Sequence, residues 1–207
     1  MGRKIVKEKS IDEPGQCCRL WEESDIHHVL TKNTVTELVE AIIIDNKRES
    51  ERLLNLSDAL LKMKKLRLLK VLCPSDCGNL NYLSDELRLL DWTGCPLRSL
   101  PSSFQPDNLV ALLLSDSRIQ QLWKGSISRP LYKLNVVNLK GSENLMHTPD
   151  FTAIPNLEFL ILEGCTRLVD VHPSVRLLSD ELTKESTKNA QRDDTGKRIK
   201  KEEDELH

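Results

Sequence analysis

Residues 87–92 read Leu87-Arg88-Leu89-Leu90-Asp91-Trp92, and the same apolar spacing returns along the chain. It recurs as Leu66-Arg67-Leu68-Leu69-Lys70-Val71, Leu109-Val110-Ala111-Leu112-Leu113-Leu114, Leu134-Asn135-Val136-Val137-Asn138-Leu139 and Leu157-Glu158-Phe159-Leu160-Ile161-Leu162. The five starts are separated by 21, 22, 25 and 23 residues, and a weaker sixth segment begins 27 residues earlier at Val39. One such segment arises by chance in a leucine-rich chain; five in register do not. Within each segment the fourth and sixth residues share one face of a strand by two-residue alternation, and that face is the candidate core.

The composition agrees. Leucine is 36 of 207 residues, 31 of them between Leu53 and Leu178, while aromatics are only 4%. Such a core implies one unit repeated, and the 21–27-residue step is that of the leucine-rich repeat. The expected fold class is therefore α/β: a leucine-rich-repeat solenoid. Short parallel strands line its concave face, the convex side is irregular or helical, and a small helical segment precedes it. No unit can bury its apolar side alone, so stability comes from its neighbours.

Three residues beyond the sixth position, the chain must turn a tight corner. Cys95, Ser117, Ser142 and Cys165 stand there, with Pro74 as the exception in the first unit. A small side chain with a weak donor suits such a turn, so Cys95 and Cys165 read as structural rather than redox-active or nucleophilic. The convex wall takes an apolar pair at spacing three, Leu97/Leu100, Ile119/Leu122 and Leu168/Val171, from which Leu145/Thr148 departs. The third, fifth and seventh strand positions face the concave side. They are Leu68/Lys70/Leu72, Leu89/Asp91/Thr93, Ala111/Leu113/Ser115, Val136/Asn138/Lys140 and Phe159/Ile161/Glu163. The candidate partner-binding residues are Lys70, Asp91, Leu113, Ser115, Asn138, Lys140, Phe159, Ile161 and Glu163. An apolar patch there would mark an interface.

Outside the repeats, Ser24 to Leu30 reads as a short capped helix with Ile26, Val29 and Leu30 on one face. Ser57-Asp58 reads as the cap of another helix, whose apolar face is Ala59, Leu60, Met63 and Leu66. Residues 3–9 read as the end of a helix and Pro14-Gly15 as a turn. From 179 to 207 the composition shifts to nine acidic and seven basic residues with few apolar ones, which reads as a disordered tail or frayed helix. The division is thus 1–36, an N-terminal helical segment; 37–178, the solenoid; and 179–207, the charged tail.

Several functions are disfavoured. The formal net charge of −2 argues against nucleic acid or an anionic membrane as partner. No run reaches about 18 apolar residues, the length of a membrane span, and the N-terminus lacks the apolar run of a secretory signal. The sequon at Asn55 is then expected to be unused. The six cysteines read as reduced thiols of the cytoplasm or nucleus. The run Lys197-Arg198-Ile199-Lys200-Lys201 is either a solvated charge run or a nuclear signal. Cys73 and Cys77 have near metal spacing but no matching second pair, so no metal is expected. None of the five histidines falls in a nucleophile or zinc motif, so no catalysis is expected.

Longer strings carry a family resemblance. They include Met1-Gly2-Arg3, Arg19-Leu20-Trp21, Asp25-Ile26 with Val29-Leu30, and Pro96-Leu97-Arg98-Ser99-Leu100-Pro101. Further on stand Ile119-Gln120-Gln121-Leu122-Trp123, Thr148-Pro149-Asp150-Phe151 and Leu162-Glu163-Gly164-Cys165-Thr166. Over residues 1–175 the chain resembles plant disease-resistance proteins of the class with an N-terminal TIR domain, a nucleotide-binding region and leucine-rich repeats. The resemblance implies that 1–36 is the remnant of the winged-helix end of the nucleotide-binding region and that Met1 corresponds to an internal family position. It implies a protein-interaction module of an innate-immune receptor. Its partners would be a pathogen effector, a guarded host protein or the receptor's own domains. The family's TIR domain, phosphate-binding loop and Met-His-Asp motif are not in this sequence, so no nucleotide cofactor is expected. The array also stops without an evident capping unit, which reads as a fragment. Such a fragment would act as a decoy or regulator of a full-length receptor, or have no function.

Overall fold

The computed structural model describes residues 14–45, 56–72, 80–125, 127 and 129–177. The expectations for residues 3–9, Asn55, Cys73, Pro74, Cys77, the charged tail and its basic run lie outside the described residues.

Seven short strands follow one another: β1 (Arg19–Leu20), β2 (Ala41–Ile44), β3 (Leu68–Val71), β4 (Leu89–Trp92), β5 (Ala111–Leu113), β6 (Val136–Asn138) and β7 (Phe159–Ile161). They form one all-parallel sheet in strict sequence order, an α/β fold with few helices. The register joins Ala41, Leu68, Leu89, Ala111, Val136 and Phe159 in one row across six strands. Those residues are spaced by 27, 21, 22, 25 and 23 in sequence, the same steps as the leucine pattern. Each strand begins two residues after the leading leucine. That leucine turns inward, and Leu66, Leu87, Leu109 and Leu134 are fully buried. β1 has no counterpart in the leucine pattern. It pairs with β2 through Arg19 and Leu20, so the sheet reaches across residue 36.

Burial alternates along each strand. The inward pairs Leu69/Val71, Leu90/Trp92, Leu112/Leu114 and Val137/Leu139 are all at most 1% exposed. Burying one leucine stabilises by about 1.5–3 kcal/mol. The inward columns therefore hold most of the driving force for stacking the strands.

The helices close one end. α1 (Glu23–Lys32) buries Ile26, Val29 and Leu30 in the core that also holds Leu20 and Val39. It starts one residue before Ser24, so Ser24 and Asp25 lie in its first turn instead of capping it, and Glu22 at the N-cap makes no side-chain cap bond. Glu23 and Asp25 there still favour the positive end of the helix dipole. Asn33 ends the helix in the left-handed conformation, with its amide N–H bonded to the Val29 carbonyl. α2 (Leu56–Lys62) likewise takes Ser57 and Asp58 into its first turn and buries Leu56, Ala59 and Leu60. Gly15 leaves no room for a side chain, because a Cβ there would meet the Thr34 carbonyl.

A second line of backbone bonds holds the outer wall. Leu100 N–H bonds the Leu122 carbonyl, Met146 N–H that of Gln120, and Val169 N–H that of Met146. Leu100, Ile119, Leu122 and Leu145 are buried, and Thr148, where the apolar spacing breaks, is only 8% exposed. Its hydroxyl accepts from His172 N–H at 2.8 Å, which satisfies the polar atom. Val171 was expected on this apolar wall and is 46% exposed, because no further layer packs on it among the described residues.

Candidate partner-binding face

Parallel sheets are ordinarily covered on both faces. Among the described residues one face is open, although its strands read as almost continuous apolar runs: LLKV, LLDW, ALL, VVN and FLI. The first outward row is the apolar one from Ala41 to Phe159. The second, two residues further along each strand, is Ile43, Lys70, Asp91, Leu113, Asn138 and Ile161. Five of the nine sequence candidates (Lys70, Asp91, Leu113, Asn138 and Ile161) thus fall side by side on adjacent strands. Phe159 lies in the first row, 54% exposed. Ser115, Lys140 and Glu163 lie just past the strand ends. The first-row residues Leu68, Leu89, Ala111 and Val136 were not among the candidates, and neither was Ile43. The signal was present: all occupy the third or fifth strand position, and each is half-buried on the open side.

The charges on this face pair with one another across neighbouring strands. Lys70 Nζ lies 2.6 Å from Asp91 Oδ2, and Lys140 Nζ lies 2.9 Å from Glu163 Oε2. Beside the first row, Arg67 meets Glu40 at 3.3 Å. Asn138 uses its Oδ1 to accept the Lys140 backbone N–H at 2.9 Å, a local turn bond. The face is therefore apolar with self-neutralised charges.

The corner residues form a ladder of their own. Ser142 Oγ donates to the Leu114 carbonyl at 2.9 Å, and Cys165 Sγ donates to the Leu139 carbonyl at 3.2 Å. Each reaches the strand-end leucine of the preceding unit. Ser117 Oγ lies 2.8 Å from Ser142 Oγ, and Ser117 N–H donates to Ser142 Oγ at 3.2 Å. Cys95 is fully buried. Burial pushes the Cys165 thiol up from its ordinary value, keeping it protonated and able to donate. The residue before each corner is left-handed: Gly94 (φ 69°), Asp116 (φ 54°), Gly141 (φ 68°) and Gly164 (φ 76°). Glycine takes this conformation without steric cost.

One cluster has the residue types of a hydrolytic relay. His172 Nδ1 lies 2.8 Å from Ser174 Oγ and 3.6 Å from Asp150 Oδ1. A relay needs the two partners on opposite ring nitrogens; here both face Nδ1. Ser174 Oγ also accepts the Phe151 N–H at 2.8 Å and is buried. Asp150 accepts from the backbone and the hydroxyl of Thr152, which hold its carboxyl below the ordinary aspartate value. The cluster ties two successive turns together.

The chain is 36% identical over 203 residues to Disease resistance protein RPV1 of Vitis rotundifolia, an alignment covering 84% of this chain and 14% of that protein. It is 39% identical over 181 residues to Disease resistance protein RPP5 of Arabidopsis thaliana, covering 85% of this chain and 12% of that one. It is 34% identical over 175 residues to TMV resistance protein N of Nicotiana glutinosa, covering 84% and 15%. These homologues are plant TIR-NLR disease-resistance proteins. The chain spans about one seventh of the length of the TIR-NLR homologues it matches. No protein-family model and no solved structure matches it.

Proposed function

We propose that the sheet is the concave recognition face of a leucine-rich-repeat solenoid. In this reading the chain is a protein-interaction segment of a plant innate-immune receptor. Its face either senses a pathogen-derived or guarded host protein, or holds the receptor inactive by contact with the receptor's own domains. The observation that carries the reading is the open face itself: an all-parallel sheet with two outward rows rich in apolar side chains and no cover among the described residues. An exposed contiguous apolar surface of this kind marks an interface. The TIR-NLR homology supplies the defence context.

The reading is non-catalytic and cofactor-free. It is supported by the one-sided geometry at His172 and by the corner bonds that occupy Ser142 and Cys165. On this reading the segment works in the cytoplasm or nucleus, where the thiols of Cys95 and Cys165 stay reduced and structural.

The test is the double substitution Leu113→Ala and Ile161→Ala in the full chain. Co-precipitation is then scored against a set of candidate effector and receptor-domain partners expressed in leaf tissue. Loss of binding with an unchanged thermal melt is the expected result. Retention of every interaction overturns the assignment to this face.

A further inference from the structure

We infer that the segment received by the open face is an α-helix lying across the strands with an uncharged apolar stripe. This rests on the recognition-face reading above and adds the chemistry of the partner.

The direction comes from the register. The apolar row runs from Ala41 through Leu68, Leu89, Ala111 and Val136 to Phe159, across the strands and not along them. Neighbouring strands lie about 4.8 Å apart, so six of them span about 24 Å. A helix rises about 5.4 Å per turn and about 1.5 Å per residue, so about 16 residues in about four and a half turns cover that span, close to one turn per strand step. An extended chain laid the same way returns to one face only every 6.6 Å or so. It would fall out of step after two strands. Ala111, the smallest residue in the middle of the row, leaves a dip between Leu89 and Val136 for one bulky side chain of the helix.

The absence of charge on the stripe follows from the ion pairs. Lys70 and Asp91 meet each other at 2.6 Å, and Lys140 and Glu163 at 2.9 Å. A charged partner residue laid over the second outward row would meet charges that are already paired, which costs more than it returns. Asn138 supplies the polar element. Its Oδ1 already accepts the Lys140 N–H, and its amide N–H groups are the donors it brings to the partner. The helix must present an acceptor there, such as a glutamine or serine side chain or a carbonyl of its last turn.

The test selects binders to the full chain from a displayed library of random 18-residue peptides. The expected enrichment is for apolar residues at i, i+3, i+4 and i+7 with no charge among them, and for peptides that gain helical circular dichroism on binding. Leu89→Ala and Leu113→Ala should each weaken binding about tenfold, and Asn138→Ala about threefold to tenfold. Arg118→Ala, on an exposed position of the outer wall, should change nothing. These are mild substitutions at half-buried positions, and a thermal melt of each confirms that it folds. Binders of alternating, period-two pattern that remain sensitive at Leu89 and Leu113 overturn the helix and leave the recognition face standing. Binders insensitive at both positions overturn both readings. A charged stripe, no enrichment, or dimerisation of the chain through Leu89 and Leu113 also overturns the helix.

Discussion

The two ends of the sheet are built from the same kinds of residue and end in different states. At the β1 end, α1 lies over the core, and Leu20, Ile26, Val29 and Leu30 are all at most 5% exposed. At the β7 end, Leu157 and Leu160 rise to 7% and 8%, Leu162 and Leu168 are half-buried, and Val169 is 86% exposed. The inward positions of β3 to β6 are at most 1% exposed with the same leucine and valine chemistry. Among the described residues, what distinguishes the two ends is the next layer. A side chain's contribution depends on how completely its neighbours enclose it.

The sharpest way to break this comparison is to delete one inward leucine from the covered part of the sheet and one from the β7 end. Leu90→Ala removes a residue that is 1% exposed and packed between two strands. It should cost about 2–5 kcal/mol. Leu162→Ala, half-buried beside the last strand, should cost less than about 1.5 kcal/mol, because it leaves less of a cavity. Urea unfolding midpoints at constant slope measure both. Equal costs would mean that the β7 end is covered in solution and that the difference between the ends is not real.

Much of this architecture could be read from spacing. The five leucine segments and the weaker one at Val39 became β2 to β7 with their steps unchanged, because a buried leucine every two residues is a strong, local constraint. β1 was not legible. It is two residues long, and Arg19-Leu20 carries no periodic signal; its strand character comes from pairing with β2. The helix starts were misplaced by one or two residues, since Ser24, Asp25, Ser57 and Asp58 stabilise a first turn as readily as a cap. On the candidate face, the alternation placed Lys70, Asp91, Leu113, Asn138 and Ile161 together. It did not show that Lys70 and Asp91 would neutralise each other. That depends on a cross-strand register between residues 21 positions apart. Nor was the left-handed ladder read, although Gly94, Gly141 and Gly164 stand at one register position.

The corner ladder offers a medium-sized test of the same contrast. Ser142→Ala would strip the Leu114 carbonyl and the Ser117 N–H of their partner inside a fully buried corner. The expected cost is about 1–3 kcal/mol. Ser142→Cys should recover much of it, since Cys165 makes the equivalent bond to Leu139. Cys165→Ala should cost less than Ser142→Ala, because its corner is only half-buried. Thermal melts of the three variants decide the order. A larger loss at Cys165 would reverse the argument that the β7 end is the weaker one.

The smallest expected effect concerns how one unit touches the next. Asp116 holds φ 54° where its counterparts are glycines, and its carboxylate occupies the space beside Gly141 that a Cβ would need. Asp116→Gly trades a left-handed penalty of about 1 kcal/mol for a similar loss of chain entropy on folding. It should therefore change stability by less than about 0.5 kcal/mol. Gly141→Ala should cost more, from both its own φ of 68° and the collision with Asp116. In the double variant the carboxylate is gone and only the backbone strain remains. The two substitutions should then be less costly together than their separate effects predict, with a coupling of about 0.5–1 kcal/mol. Additive costs in a double-mutant cycle would show that Asp116 and Gly141 do not meet in solution. A coupling of that size would show that adjacent corners press on one another in the interior of the array. Gly164, with Gly141 as its nearest neighbour and no side chain between them, lacks that contact.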